Sequence, residues 1–193
     1  AAADILSELE IQTEIGRSGL SGHFATISFA VETDSTNLMA RRAAESGAPD
    51  RSVFVAERQT AGRGRRGRSW LSDHRQGLWF TLLLRPQAEA ASLAKITLIA
   101  GLCAAEGLQS LGADVGIKWP NDLVSRSNGR KIGGILTEMT VEENTVSSLI
   151  IGIGINVNDH EFPAELAPIA TSLHLETGRE WRRSEVLAAV LAA

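Results

Sequence analysis

Apolar and polar positions change period several times along the chain, and each change marks an element. Thr26–Val31 and Ser52–Glu57 (SVFVAE) are rich in β-branched and aromatic residues and predict strands. Between them, Asp34 or Ser35 can cap a helix that runs toward Ser46, where Gly47 supplies the stop. Leu78–Leu84 (LWFTLLL) is a continuous apolar run, as expected of a strand buried on both faces. Ser92–Leu111 places Ala and Leu at helical spacing and ends at Gly112. Val115–Trp119 predicts a short strand that Pro120, lacking an N–H, must interrupt, and a polar turn follows at Ser125–Arg130. Ile132–Val141 and Thr145–Val157 predict an antiparallel pair joined through Glu142-Glu143-Asn144. At the ends, Asp4–Glu10 predicts a short helix before a Gly/Ser-rich loop, Gly16–Gly22, and Pro163–Ala193 predicts helices with Ser184 as the last N-cap. Strands clustered in the middle with helices inserted give an α+β class: a mixed central β-sheet with helices packed on one side. No repeat or low-complexity linker divides the chain, so residues 1–193 are expected to form one domain.

Composition narrows the function. The hydrophobic content of 44% over 193 residues supports one good core. A formal net charge of -4 disfavours a protein that coats nucleic acid, so any anion site must be local, and no DNA partner is expected. The single cysteine, Cys103, excludes an intrachain disulfide framework and a cysteine-based zinc cage, and fits a reducing compartment such as the cytoplasm. The apolar runs Leu78–Leu84 and Ser148–Val157 fall far short of the roughly 20 residues that span a bilayer. Ala1–Glu14 carries acids where a signal peptide carries bases. The expectation is a soluble, unexported protein.

The chemistry concentrates in Gly62-Arg63-Gly64-Arg65-Arg66-Gly67-Arg68. Its glycine spacing matches the dinucleotide fingerprint, but Ser69-Trp70-Leu71-Ser72-Asp73 continues as polar turn rather than opening a helix, and no Gly-Lys-Ser/Thr completes a phosphate loop. What remains is a segment whose glycines let backbone approach a ligand and whose arginines bring fixed positive charge, suited to phosphate or carboxylate. A solvated basic turn is the plain alternative. Against it stand the interspersed glycines and Trp70, a flat apolar wall for a ring system. The four histidines, His23, His74, His160 and His174, show no metal-ligand spacing, and Cys103 reads as core.

Gln59–Trp70 resembles the ligand loop of biotin protein ligases. Four further stretches are similar to that family in order and approximate spacing: Asp34-Ser35-Thr36-Asn37, Lys118-Trp119-Pro120-Asn121-Asp122-Leu123, Lys131-Ile132-Gly133-Gly134-Ile135-Leu136 with Glu138, and Gly152-Ile153-Gly154-Ile155-Asn156-Val157-Asn158. The resemblance covers Phe29 to Asn158. It implies the class II aminoacyl-tRNA synthetase-like catalytic domain shared by biotin and lipoate ligases, with ATP and biotin as substrates and Mg²⁺ as the ion. It also implies a biotin–[biotin carboxyl-carrier protein] ligase reaction: biotin's carboxylate attacks the α-phosphate to give biotinoyl-AMP, and a carrier lysine then attacks the anhydride. The implied partner is the biotin carboxyl carrier protein of acetyl-CoA carboxylase or of another biotin-dependent carboxylase.

Carried over position by position, the resemblance assigns the catalytic cations to Arg63, Arg65 and Lys131, with Lys118 and Arg68 in support. Ser35, Thr36, Asn37 and Gln59 supply groups for biotin's ureido end. Gly62, Gly64 and Trp70 belong to the same loop, and Gly133 and Gly134 bring backbone N–H groups to the carboxylate. Asn121, Asp122, Asn156, Arg66 and Arg68 fall to the adenylate, with Asp122 also the candidate for Mg²⁺ and for assisting the attacking lysine. Helix capping by Ser35 and Thr36, and an ordinary turn at Asn121-Asp122, remain alternative readings of the same residues. The N-terminal helix-turn-helix of some relatives and the family's small C-terminal β-barrel have no counterpart in the pattern, which suggests a non-repressor member. The Gly/Arg loop is expected to be mobile and to close on ligand. A homodimer is conceivable through an open sheet edge near Thr145–Val157. A lipoate or octanoate ligase and a non-catalytic biotin-binding module are the competing functions.

Overall fold

The computed structural model describes residue 4, residues 6–93 and residues 95–193. In chain order the strands are β1 (Thr26–Thr33), β2 (Ser52–Gln59), β3 (Leu78–Leu84), β4 (Val115–Lys118), β5 (Asp122–Ser125), β6 (Lys131–Glu142) and β7 (Thr145–Ile155). The α-helices are α1 (Glu8–Arg17), α2 (Thr36–Glu45), α3 (Ile96–Ser110), α4 (Leu173–Thr177) and α5 (Arg183–Ala192). Among the described residues the strands form one sheet in the order β1-β2-β3-β7-β6-β5-β4. Only β1 and β2 are parallel, and α2 is the crossover that parallel pairing requires; every other neighbour is antiparallel. The α+β class and the mixed sheet are therefore as expected.

The strict two-residue alternation of strands divides the sheet into two working faces. On β7, Leu149, Ile151, Ile153 and Ile155 join the large core under α1, α3 and α5, whereas Ile150 joins a small cluster with Ala40, Phe54 and Leu83 under α2. On β3, Leu78 and Phe80 face the large core, and Leu83 faces α2. The run LWFTLLL is thus apolar because both of its faces are covered. Helices on one side describes α1, α3 and α5; α2 is the exception, lying on the opposite face. There it frames the functional surface.

Several boundaries differ from the sequence reading. The first helix begins at Glu8, capped by the Ser7 hydroxyl accepting from Glu10 N–H, and runs through the expected Gly16 loop start to Arg17. Residue 5, part of the predicted Asp4–Glu10 helix, lies outside the described residues, as does residue 94 within the predicted Ser92–Leu111 helix. That second segment is a 3₁₀ turn at Ala90–Leu93 followed by α3. Ala90–Ser110 is long and apolar enough to cross a membrane by length and composition, a feature the sequence reading passed over. In the fold, Gly101, Ala104, Ala105, Gly107 and Leu108 of this segment are buried in the domain. Asp122–Ser125 is a strand that the sequence reading missed, because four residues between a proline and a turn carry too short a pattern. Ser184 does not cap the last helix; Arg182 occupies that position. Most of Pro163–Ala170 is turn rather than helix. The hairpin turn is Glu143-Asn144, both with positive φ (48° and 70°) as a tight β-hairpin requires. Finally, β7 is interior, flanked by β3 and β6, so the open edges are β1 and β4 and not the one expected near Thr145–Val157.

The N-terminus is tied in by charge. Arg183, 1% exposed, pairs with Asp4 through Nε and with Glu57 through Nη2 at 3.0 Å, and Nη1 donates to the Gly77 carbonyl.

Candidate functional site

The α2 face of the sheet holds a cavity whose floor is made by the absence of side chains. A Cβ on Gly152 would lie 2.0 Å from Asn37 Oδ1, and one on Gly154 would lie 2.8 Å from Trp70 Nε1. Glycine at these alternate positions of β7 lets Asn37 and the Trp70 indole rest directly on the strand. Gly134 beside them also faces the cavity, with Leu136, Trp70 and Trp79 adding apolar surface. Trp70 and Trp79 meet edge to face, ring centroids 6.3 Å apart, and both buried indole N–H groups are without an acceptor among the described residues.

The polar rim comes from the start of α2. Ser35 is the N-cap by position, yet its hydroxyl makes no capping bond, so this buried group is left to face the cavity. Thr36 N–H donates to Gln59 Oε1 at 2.8 Å, and Gln59 Nε2 donates to Ser72 Oγ at 3.1 Å. The Thr81 hydroxyl lies 2.9 Å from Thr36 Oγ1 and 2.8 Å from Asn37 Oδ1, its single proton shared between them. Asn37 Nδ2 donates to Glu138 at 2.9 Å. Gln59 and Asn37 are thus largely spent on fixing the start of α2 against the sheet, whereas the Ser35 hydroxyl makes no capping bond among the described residues.

A second, larger groove opens beside the first, lined by Arg66, Arg68, Lys118, Trp119, Asp122, Asn156, Phe162, Leu166 and Ile169 among others. Gly64, Arg65, Trp70, Asn121 and Lys131 line both cavities and form a sill between them. Lys131 Nζ lies 2.7 Å from Asp122 Oδ1 and 5.0 Å from the Trp70 ring centre. Arg65 Nη1 donates to Asn121 Oδ1 at 3.0 Å, while Asn121 Nδ2 donates to the Ile135 carbonyl. Cations at the sill are therefore positioned by neighbouring oxygens rather than free in solvent.

The Gly/Arg segment is a short hairpin-like loop, pinned at its base and open at its tip. Thr60 N–H and Ala61 N–H donate to the Thr33 and Asp34 carbonyls, and Trp70 N–H donates to Gly62 O. Asp34 is itself gripped by Arg42 through bonds of 2.7 and 3.0 Å and accepts from Ser35 N–H. Those contacts, led by Arg42, hold its carboxyl well below the usual range.

The structure gathers most of the residues expected from the sequence, with some redistribution. Arg63 lines the first cavity only, turned onto Glu138 at 3.2 Å, which also accepts from Arg41 at 2.7 Å. Gly133 faces the core, where a Cβ would lie 2.7 Å from the Gly154 carbonyl, so Gly134 alone of the pair lines the cavity. Gly62 packs under Ser72 and Trp70 O without lining either cavity. Asn156 Nδ2 is engaged by the Thr171 carbonyl at 3.0 Å while the residue borders the groove. Trp79 and Thr81 were missed. The usable signal was Thr81 itself, a polar residue in an otherwise apolar run, which marks Trp79 and Thr81 as sharing a non-core face.

Mg²⁺ would find hard oxygen donors here. Asp122 has one carboxylate oxygen on Lys131 and borders the groove beside Asn121. One carboxylate with room for water and phosphate oxygens fits that ion's habits.

The sequence profile of the biotin/lipoate A/B protein ligase family matches residues 29–156. The bifunctional ligase/repressor BirA of Bacillus subtilis is 40% identical over 189 residues, covering 96% of this chain and 57% of that protein. The biotin--[acetyl-CoA-carboxylase] ligase of Mycobacterium tuberculosis is 34% identical over 161 residues, covering 80% of this chain and 57% of that protein. The chain thus spans a little over half the length of these curated relatives. The Aquifex aeolicus biotin protein ligase in complex with biotin and ATP superimposes with a TM-score of 0.74 at 39% identity, covering 88% of this chain and 68% of that one. The Leishmania major biotin protein ligase in complex with biotinyl-5-AMP gives 0.71 at 27% identity, covering 87% and 72%.

Proposed function

Because the chain belongs to the biotin/lipoate A/B protein ligase family, we propose that its paired cavities carry ATP-dependent ligation of biotin to a lysine of a carrier protein. The observation that carries this reading is the shared sill: two cavities of different chemistry meet at Arg65, Lys131, Asn121 and Trp70. The first suits a compact fused ring, with an apolar floor and hydroxyl and amide groups at its rim. The second, with Arg66, Arg68 and Lys118 beside Trp119 and Ile169, suits a triphosphate and a base. An acid seated in the first points its carboxylate across the sill.

In the first step a carboxylate oxygen of biotin bonds to the α-phosphorus, the bond to the β-phosphate oxygen breaks, and pyrophosphate leaves. Both reactants are anions, so the step needs cations fixed in advance at the point of contact. Lys131 and Arg65 occupy it. Mg²⁺, when bound through Asp122, supplies further neutralisation of the phosphates. In the second step the carrier lysine amine attacks the acyl carbon and AMP leaves with the bonding pair. Asp122, which lines the second groove and pairs with Lys131 at the sill, takes the amine's proton, with Lys131 holding it in orientation. The carrier belongs to a biotin-dependent carboxylase, that of acetyl-CoA carboxylase first among the candidates.

The decisive measurement is biotin-dependent exchange of labelled pyrophosphate into ATP, followed by transfer to a carrier. Both activities are expected. Their joint absence in folded protein overturns the proposal, and exchange with lipoate or octanoate in place of biotin redirects it to the other branch of the family. Asp122→Asn is expected to slow transfer more than exchange; equal rates in both steps would remove Asp122 from the chemistry.

A further inference from the structure

Away from the sill, the fold brings together three groups that lie far apart in sequence. His160 Nε2 and His174 Nδ1 each lie 3.2 Å from the same oxygen, Glu180 Oε1. The two imidazole rings sit 4.1 Å apart, centre to centre. We infer that His160, His174 and Glu180 form a binding site for a divalent transition-metal ion of the zinc class. The sequence reading found no metal spacing among the histidines because the spacing exists only in the folded chain.

The geometry is close to what such an ion demands. Bonds of roughly 2.0–2.2 Å to nitrogen and oxygen in a tetrahedral arrangement separate the ligand atoms by about 3.3 Å. Two of the three edges are already at that length, and all three atoms lie within 4.8 Å of one another. Two imidazole nitrogens with one carboxylate oxygen form a borderline donor set, favouring zinc, copper or nickel over magnesium or calcium. The side chains of His160 and Glu180 are 52% and 50% exposed, so an ion can enter from solvent and water can complete its shell.

The backbone beneath the three groups is held independently of them. Ser172 Oγ donates to the Asp159 carbonyl at 2.6 Å, next to His160. His174 N–H donates to the Val157 carbonyl at 2.8 Å. Asn158 bonds the Trp181 backbone in both directions, at 2.8 and 2.9 Å, next to Glu180. The three ligand-bearing segments are therefore fastened to each other before any ion arrives, which lowers the cost of ordering a site. The guanidinium of Arg179, the residue before Glu180, is turned aside onto the Trp181 ring at 3.6 Å and donates to the Leu111 carbonyl. His174 Nδ1 also lies 3.1 Å from the Arg179 carbonyl, so ligation through Nδ1 requires the tautomer that carries its proton on Nε2. Asn156, Phe162, Leu166 and Ile169, in the same segment as His160, line the groove.

The test is calorimetric titration of untagged, chelator-stripped protein with Zn²⁺, alongside the visible spectrum of the Co²⁺ form. One site per chain of micromolar affinity is expected, with Co²⁺ bands of a four- or five-coordinate ion. His160→Ala and His174→Ala should each weaken binding about tenfold or more, since each removes one of three ligands. Glu180→Gln, which keeps its size and an oxygen, should weaken it less, and Cys103→Ser should leave it unchanged. His174→Asn serves if the alanine variant folds poorly. No detectable heat, or affinity unchanged in the His160→Ala/His174→Ala double variant, overturns the site and leaves Glu180 as a simple hydrogen-bond acceptor.

Discussion

Single residues decide the shape of the first cavity, and the strongest consequences fall on those with the least side chain. Gly154→Ala places a methyl 2.8 Å from the Trp70 indole nitrogen, inside van der Waals contact. Overpacking of this kind costs about 1–3 kcal/mol wherever it is absorbed. Here the indole, attached to a loop, is what yields. Biotin affinity measured by calorimetry is therefore expected to fall at least tenfold, with the melting temperature nearly unchanged; an unchanged affinity would count against Trp70 as a cavity wall. Lys131→Met removes one of the two sill cations and the partner of Asp122, and loss of one preorganised donor at developing charge typically costs about 10²–10³ in kcat. Pyrophosphate exchange should drop by that order. Much of this was legible beforehand, since Ser35, Thr36, Asn37, Gln59, Arg65, Trp70, Asn121 and Lys131 all line the first cavity. Their division of labour was not. Whether Ser35 caps or faces a ligand, and whether Gly133 or Gly134 faces the cavity, depends on hydrogen bonds and strand phase that one residue's identity does not reveal.

At the scale of elements, long periodic segments were readable and short or polar ones were not. LWFTLLL was placed to the residue, and the Ile132–Val141 and Thr145–Val157 hairpin nearly so, because strands covered on both faces give long, nearly uninterrupted apolar runs. β5 was missed because four residues establish no period. The Gly/Arg loop shows how its parts differ: the base is bound to Thr33, Asp34 and Ser72, whereas Arg66 and Arg68 at the tip are exposed. Limited proteolysis should cut the tip in the protein alone and be suppressed by biotin with ATP; equal cutting in both conditions would rule out closure of the loop on its ligands. The Asp34 anchor adds a pH dependence. Its carboxyl is held below the ordinary value of 3.8, first by Arg42 and then by Ser35 N–H and Thr33, against the opposing effect of burial. A depressed folded-state pKa gives stability that is fully present above the ordinary value and is lost as pH falls toward the folded one. The stability difference between the wild type and Asp34→Asn, from urea titration, should be largest near neutrality and shrink progressively below pH 3.8.

For the whole molecule, the sheet separates stability from chemistry. The face under α1, α3 and α5 holds the large core, and the face under α2 holds the cavity. The fold class followed from the order of elements, but this asymmetry did not, because one sequence pattern cannot say which side of a sheet a crossover helix will take. Arg183 closes the core side by joining α5 to Asp4 and Glu57. Arg183→Met leaves two carboxylates without their buried partner, and breaking such a pair costs about 3–5 kcal/mol. The urea midpoint should fall accordingly while the biotin affinity of the remaining folded protein stays the same. A loss of affinity without loss of stability would show that the two faces are coupled.

The sill between the cavities has a further meaning for what the protein releases and when. A molecule lying across Arg65 and Lys131 has one foothold in each cavity, and the second grip is made at the high effective concentration that tethering provides. The affinities of the halves then compound, while either half alone leaves easily. The acyl-adenylate is the only species in the sequence that is tethered in this way. Its residence time should therefore exceed that of biotin or of AMP by orders of magnitude, and its reactive bond, seated on the sill, should decay more slowly than in free solution. Under the proposed function, such a protein would act as a reservoir of activated acid, charged in advance and discharged when a lysine arrives.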